Sequence, residues 1–320
     1  MAPLRRISAL MSPAAGAAVM ATGIVSTSLS LDGRETLSRI LLVVCGVMWL
    51  TLGLFLGVQA WRDRASLRAQ AQTPAALAAA VATAVLGSRL LSLGWDWAGV
   101  ACLALTGVLW LALIGPVITH WVVPTVGASL MLAVSVQALA VLAAEVAGAE
   151  RVRWLLAAAL VPFVLGLGSY ALVVAKFDFS QLRLGRGDHW ITGGALAISA
   201  LAAAVIAQTA LAFHLAGLRR TLEVVTVALW GASMVWLPAL IVAEALWPRW
   251  GYDERRWATA FPVGMYAVCS FLTGSVAHVA AITDFARVWV WVGVAVWALV
   301  FVSMLHRIHG PCPGVGSSLV

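Results

Sequence analysis

Apolar windows of about 20 residues recur along the whole chain, separated by short charged or Pro/Gly-rich breaks, and ten of them can be marked. They cover residues 9–30, 37–60, 75–94, 97–119, 122–145, 152–175, 189–213, 222–246, 256–281 and 287–305. No gap between them holds a soluble domain. The pattern predicts an all-α integral membrane protein, with residues 1–308 as one ten-helix transmembrane domain and residues 309–320 as a disordered cytoplasmic tail.

The residues within these windows divide by parity. Trp49, Trp110, Trp230, Trp236, Trp291 and Trp297, which lie a turn or more inside their windows, are all on even-numbered helices. Odd-numbered helices carry Trp121, Trp190 and Trp257 only at their starts, which reads as an aromatic belt at the membrane interface. Small and polar residues sit within the odd helices instead, among them Thr22, Ser26, Ser88, Ser135, Gln137, Ser199 and Ser270. Small residues often mark only tight helix packing. Their restriction to odd helices predicts more: five hairpins around a central pore, odd helices lining it and even helices facing lipid. Gly53 and Gly57 add a GxxxG to the second helix, a signal for helix or subunit contact.

Composition agrees with the membrane class, since 62% hydrophobic residues, 10% charged residues and a mean hydropathy of +0.99 lie outside soluble norms. The net charge of +7 does not indicate nucleic acid, because the Lys and Arg residues are scattered over loops and helix ends. Their bias toward the links after even helices places both termini in the cytoplasm. The N-terminal stretch imitates a signal peptide, with Arg5 and Arg6 before an alanine-rich run, but the run continues to Leu31 and is expected to remain as the first helix. Cys45, Cys102, Cys269 and Cys312 show no CxxC spacing, so neither metal nor disulfide is expected, and no cofactor.

The chemistry concentrates in the ninth helix. Pro262 deletes a backbone donor and frees the carbonyl of Ala258, which predicts a bend at a depth where lipid cannot satisfy the carbonyl. Phe261 beside it is placed to plug a narrow passage, with Pro262 as hinge and Tyr266 on the same helix as a lining residue. No Asp or Glu falls in the middle of an odd helix; Glu145 reads as an extracellular end, Asp188 as preceding the seventh helix and Glu244 as interfacial. Such a lining favours anions or neutral solutes. Arg89 and His214, at the extracellular ends of the third and seventh helices, are read as groups that attract anions, and His278 as the proton site if transport is proton-coupled. Against these stand bland readings: Arg89 snorkelling to headgroups, packed histidines, and Phe261 as an ordinary apolar contact.

An intramembrane enzyme is the competing class. Gly231-Ala232-Ser233 followed by His278 faintly mimics a serine–histidine protease, but Gly127-Ala128-Ser129 repeats the tripeptide elsewhere, and HExxH, GxSxG and Walker motifs are absent. The chain is therefore read as a transporter or channel.

Four blocks, MATGIVS (Met20 to Ser26), VLGSRL (Val85 to Leu90), GDHWITGGALAIS (Gly187 to Ser199) and YDERRWATAFPVGMYAV (Tyr252 to Val268), resemble the tellurite-resistance/dicarboxylate transporter family. That family includes bacterial tellurite-resistance proteins, yeast malate permeases, fungal sulfite exporters and plant slow anion channels. The resemblance implies ten helices as five hairpins, a homotrimer of independent pores in the plasma membrane, and a ninth-helix phenylalanine, here Phe261, blocking the path. It implies small anions as the transported solute, with C4-dicarboxylates such as malate or succinate favoured by the FPVGMY form around Phe261. A passive channel for chloride or nitrate, and a sulfite or tellurite-related exporter, are the alternatives.

Overall fold

The computed structural model describes residues 15–248 and 253–309. The start of the first span, Arg5, Arg6, Tyr252, Cys312 and the tail after His309 lie outside the described residues. Among the described residues, ten long helices carry the fold: α1 (Gly16–Leu31), α2 (Glu35–Arg62), α3 (Ala78–Leu91), α4 (Asp96–Thr119), α5 (Met131–Ala149), α6 (Arg153–Val174), α7 (Ile191–Ala212), α8 (Ala216–Leu246), α9 (Trp257–Ala277) and α10 (Ala280–His309). All but α1 are long and apolar enough to cross a membrane, counting with α3, α5, α7 and α9 the tight helical turn that precedes each. The described part of α1 has 16 residues.

Consecutive helices pair as five hairpins, and the odd helices close a ring in which α1 meets α3, α3 meets α5, α5 meets α7, α7 meets α9 and α9 returns to α1. The spans built on α3, α5, α7 and α9 are 72–83% buried, whereas the even helices are 17–22% buried. The inner ring can pack this closely because its helices are rich in Ala, Gly, Ser and Thr, which let backbones approach. The even helices present Leu54, Leu111, Leu172, Val235 and Leu299 outward, as a lipid-facing layer requires.

Every inner helix ends in the same way. A residue with positive φ stands just after each, namely Gly33, Gly94, Arg151, His214 and His278. The next amide then reaches back five residues, from Arg34 to Leu29, Trp95 to Leu90, Val152 to Ala147, Leu215 to Ala210 and Val279 to Gly274, at 2.8–3.1 Å. These are Schellman-type caps that satisfy the last carbonyls and turn the chain into the outer helix. Recurrence at about 60-residue intervals makes the molecule a fivefold structural repeat.

Two expectations are corrected here. The fifth span starts at Gly127 and not at 122, because Pro124 lacks an N–H and disfavours helix in the residue before it. The segment is instead braced across the bundle end, Thr125 donating to the carbonyl of Lys176 and accepting from the amide of Asp178. Pro262 does lie inside α9, but Pro116, Pro162 and Pro238 lie inside the outer helices α4, α6 and α8. Helix-interior proline therefore does not by itself mark the pore.

Candidate functional site

A cavity of about 400 Å³ lies on the axis of the inner ring, within the range of about 300–1,000 Å³ usual for small-molecule sites. All five inner helices line it: α1 through Ile24 and Thr27, α3 through Val85 and Ser88, α5 through Val141 and Glu145, α7 through Leu201 and Gln208, and α9 through Met265, Val268 and Leu272. It opens where these helices reach their C-termini, with Leu31, Ser92 and Ala149 at the lip. The wall is mostly aliphatic, with hydroxyl and amide groups at intervals, and among the described residues Glu145 is the one ionisable side chain in it.

Beyond the cavity wall lies a fully buried apolar layer. Met265, Val268 and Leu272 fall on one face of α9, and stepping back four residues from Met265 along that face reaches Phe261, about 6 Å deeper. The same step takes Ile24 to Met20, Val85 to Val81 and Ala138 to Val134. Phe261, Met20, Val81 and Val134 are all at 0% exposure. On α7 the equivalent step from Ile198 reaches Gly194, whose missing side chain admits Pro262: a Cβ there would stand 2.8 Å from the proline ring. Phe261 and Pro262 thus belong to the layer that ends the cavity.

The other residues singled out from the sequence divide by the direction in which they point. Ser88 lines the cavity. Thr22 and Ser270 are turned toward the outer layer, where they accept the indole N–H groups of Trp297 and Trp230 at 2.9 and 2.8 Å. Trp49 donates to Thr83 at 3.0 Å in the same fashion. Three tryptophans of the even helices, Trp49, Trp230 and Trp297, are therefore staples to an inner helix of the next hairpin, whereas Trp236 donates to Tyr170 of α6 and Trp291 is exposed. Ser26 is tied to Ser38 on α2, Gln137 donates to the carbonyl of Phe163 on α6, and Tyr266 donates to the carbonyl of Ser233 on α8 at 2.9 Å. Ser135 and Ser199 return their hydroxyls to Leu132 and Ala195 of their own helices. Of the eight lining residues expected from the sequence, Ser88 alone reaches the cavity wall. A buried hydroxyl in lipid surroundings goes where a partner is, and here the partners are indoles and carbonyls between layers.

Arg89 and the two histidines do not form a cationic vestibule. Arg89 is 2% exposed and its guanidinium is engaged by Glu35 at 2.8 Å, Ser38 at 2.9 Å and Ser92 at 2.6 Å. It ties α3 to α2, with its charge opposed by a carboxylate. His214 and His278 are exposed at the positive-φ caps of α7 and α9 and line no part of the cavity. The Ser233 hydroxyl donates to the carbonyl of Trp230, so it is held within α8. Glu244, read as interfacial, pairs with Arg256 at 2.7 Å and joins the end of α8 to the start of α9.

Gln208, one of the polar residues the sequence places within the odd helices, lines the cavity as well, whereas Glu145, Thr27 and Ser92 were missed as cavity residues. Glu145 was read as a helix end, yet the cavity reaches that depth and its Oε2 is buried. The available signal was its spacing from Val141 and Ala138, which puts all three on one helical face.

Comparison with known proteins accords with this architecture. Residues 11–305 match the family model described as voltage-dependent anion channel. Two uncharacterized membrane proteins of Mycobacterium tuberculosis, from strains CDC 1551 and H37Rv, are each 33% identical over 153 residues, covering 43% of this chain and 74% of the relative. With a ring of five inner helices around an axial cavity, and a family match that runs over nearly the whole chain, the protein belongs to the voltage-dependent anion channel family.

Proposed function

We propose that the protein passes small anions across the plasma membrane along the axis of the inner ring, with Phe261 as the gate. The observation that carries this reading is the axial cavity ended by a fully buried layer that includes Phe261. Aliphatic and aromatic side chains at a constriction exclude hydrated ions by dewetting until one of them moves. Withdrawal of the Phe261 ring from this layer would join the cavity to the cytoplasmic side. Pro262, packed against Gly194, is the point at which α9 can flex.

C4-dicarboxylates such as malate or succinate are the proposed substrates. The cavity volume accommodates them, and its hydroxyl groups with aliphatic wall between them suit a solute that is polar at both ends. Among the described residues the wall carries no basic side chain, which favours singly charged species, either a monoprotonated dicarboxylate or a monovalent anion such as chloride or nitrate. The arginine bias of the links supports a cytoplasmic location for both termini. The open face of α2 at Gly53 and Gly57, with nothing within 4 Å of either, suits a subunit contact in a homotrimer.

The experiment is current across bilayers containing purified protein, wild type beside Phe261→Ala, in chloride and then in malate. A large anion conductance in the variant and a small one in wild type is the expected result. Equal, negligible currents from a variant shown to be folded would overturn the gate.

A further inference from the structure

Glu145 is the one carboxylate in the wall of the axial cavity, and the mechanism described above does not use it. Its Oε2 is buried without a hydrogen-bond partner, while the Ser88 hydroxyl on α3 lies beside the carboxyl. An ionised carboxylate accepts hydrogen bonds and cannot donate one, so in that state Glu145 offers no donor to an anion admitted to the cavity whose wall it forms. The surroundings offer it no counter-charge. On the helices packed against α5, Arg89 of α3 is engaged with Glu35, Asp96 of α4 and Arg153 of α6 are exposed at the starts of their helices, and α7 carries no ionisable residue between Ile191 and Ala212. On the remaining inner helices, α1 carries none and α9 only the buried Tyr266 and Cys269, while Cys102 of α4 and Tyr170 of α6 complete the titratable groups; none of these four can supply a positive charge. Glu150 and Arg151, beyond the end of α5, are solvent-exposed. The C-termini of five helices surround the mouth, and the negative ends of their dipoles also disfavour an incoming anion.

We propose that Glu145 is a proton-dependent oxyanion site, in which the protonated carboxyl donates a hydrogen bond to a carboxylate or similar anion and the ionised carboxyl repels it. This deepens the anion-passage reading and rests on it. One proton is taken from the mouth side for each anion admitted, so a monovalent anion enters with no net charge and a dianion with one negative charge. A carboxylic acid held neutral can donate where a carboxylate cannot, and a carboxyl in an apolar wall without a counter-ion is a group that reaches that state readily. Ser88 is a positioning residue, holding the carboxyl against the α3 side of the wall. The proton site is thus assigned to the cavity and not to His278, whose side chain is exposed at a helix cap.

The test compares wild type, Glu145→Gln and Ser88→Ala in proteoliposomes, measuring efflux of chloride and of malate while the mouth-side pH is varied from about 5 to about 8, a range that runs from near the ordinary carboxyl value to beyond that of histidine. Wild-type flux should fall as pH rises, by at most about tenfold per pH unit for one proton. Glu145→Gln, a permanent hydrogen-bond donor of the same shape, should be flat and close to the wild-type acid limit, and Ser88→Ala should keep the pH dependence with a displaced midpoint. A wild-type pH profile in Glu145→Gln overturns the proposal, as does flat flux in wild type. Infrared difference spectra of the purified protein keep the result independent of transport: a protonated-carboxyl band that shifts on adding chloride or malate and is missing in Glu145→Gln is expected, and its absence from wild type counts against the site. If no variant, Phe261→Ala included, passes any anion, the pore reading fails while the infrared result still decides the proton site.

Discussion

Trp297 of the last helix donates its indole N–H to the hydroxyl of Thr22 in the first at 2.9 Å, joining the two ends of the chain across the ring. Trp49 to Thr83 and Trp230 to Ser270 repeat this relationship between an outer helix and the inner helix of the following hairpin. Thr22 also donates to the carbonyl of Ala18, so its hydroxyl is used in both senses. Closure of the fivefold ring at this seam holds α1 and α9 together beside the cavity.

Trp297→Phe should therefore destabilise the folded protein by about 1 kcal/mol, the usual net worth of one such bond, and Thr22→Val by a similar amount. Because the two substitutions remove the same bond, the double variant should cost less than the sum of the singles. Equilibrium unfolding in mixed detergent, arranged as a double-mutant cycle, reads the coupling. Strict additivity would show that the contact contributes nothing to closure.

The caps at His214 and His278 lead to a second expectation. Both are held at positive φ, 58° and 55°, where Gly33 and Gly94 stand in the first two hairpins. A non-glycine residue in that region costs roughly 1–2 kcal/mol. His214→Gly and His278→Gly should each raise stability by about 0.5–1 kcal/mol, the lower figure allowing for the freedom glycine adds to the unfolded chain. Anion flux and its pH dependence should be unchanged. Loss of the pH dependence in His278→Gly would return the proton site to the histidine.

The layering of the molecule was legible in the sequence because burial differs between whole helices. Trp-bearing, Leu-rich even helices and Ala/Gly/Ser-rich odd ones announce outside and inside without any knowledge of facing. Which way a given side chain points was not legible. In a bundle surrounded by lipid both faces of a helix are apolar, so no polar stripe fixes its rotation, and Thr22, Gln137, Tyr266 and Ser270 were assigned to the axis when they bond outward. Glu145 escaped notice for a related reason: distance from the end of a span says nothing about how far a cavity penetrates. The positive-φ caps were not legible as a repeat, since Gly33, Gly94, Arg151, His214 and His278 are almost evenly spaced but share no single residue type.

Arg89 yields a prediction of the opposite sign from that of an anion-attracting residue. Its guanidinium joins Glu35, Ser38 and Ser92 in a part-buried cluster between α2 and α3. Arg89→Gln should lower stability by about 2–3 kcal/mol, less than for a fully buried pair because Glu35 is 37% exposed. The salt dependence of anion flux through the folded fraction should match wild type. Reduced flux with unchanged thermal stability would mean that the charge acts on the solute.

The close approach of α7 and α9 supplies a test of the gate that does not touch Phe261. A Cβ on Gly194 would lie 2.8 Å from both Cβ and Cγ of Pro262 and 3.2 Å from its Cα. A proline ring cannot rotate away as a flexible side chain would, so Gly194→Ala must push α9 outward at the residue next to Phe261. Overpacking of this kind typically costs about 1–3 kcal/mol, which a helix bundle can survive. If the buried layer is the barrier, the displacement should loosen it, and Gly194→Ala should show a leak of chloride and malate intermediate between wild type and Phe261→Ala. The control is Gly217→Ala on α8, where no atom lies within 4 Å of the added methyl and no leak is expected. A folded Gly194→Ala protein as tight as wild type would place the barrier elsewhere along the axis.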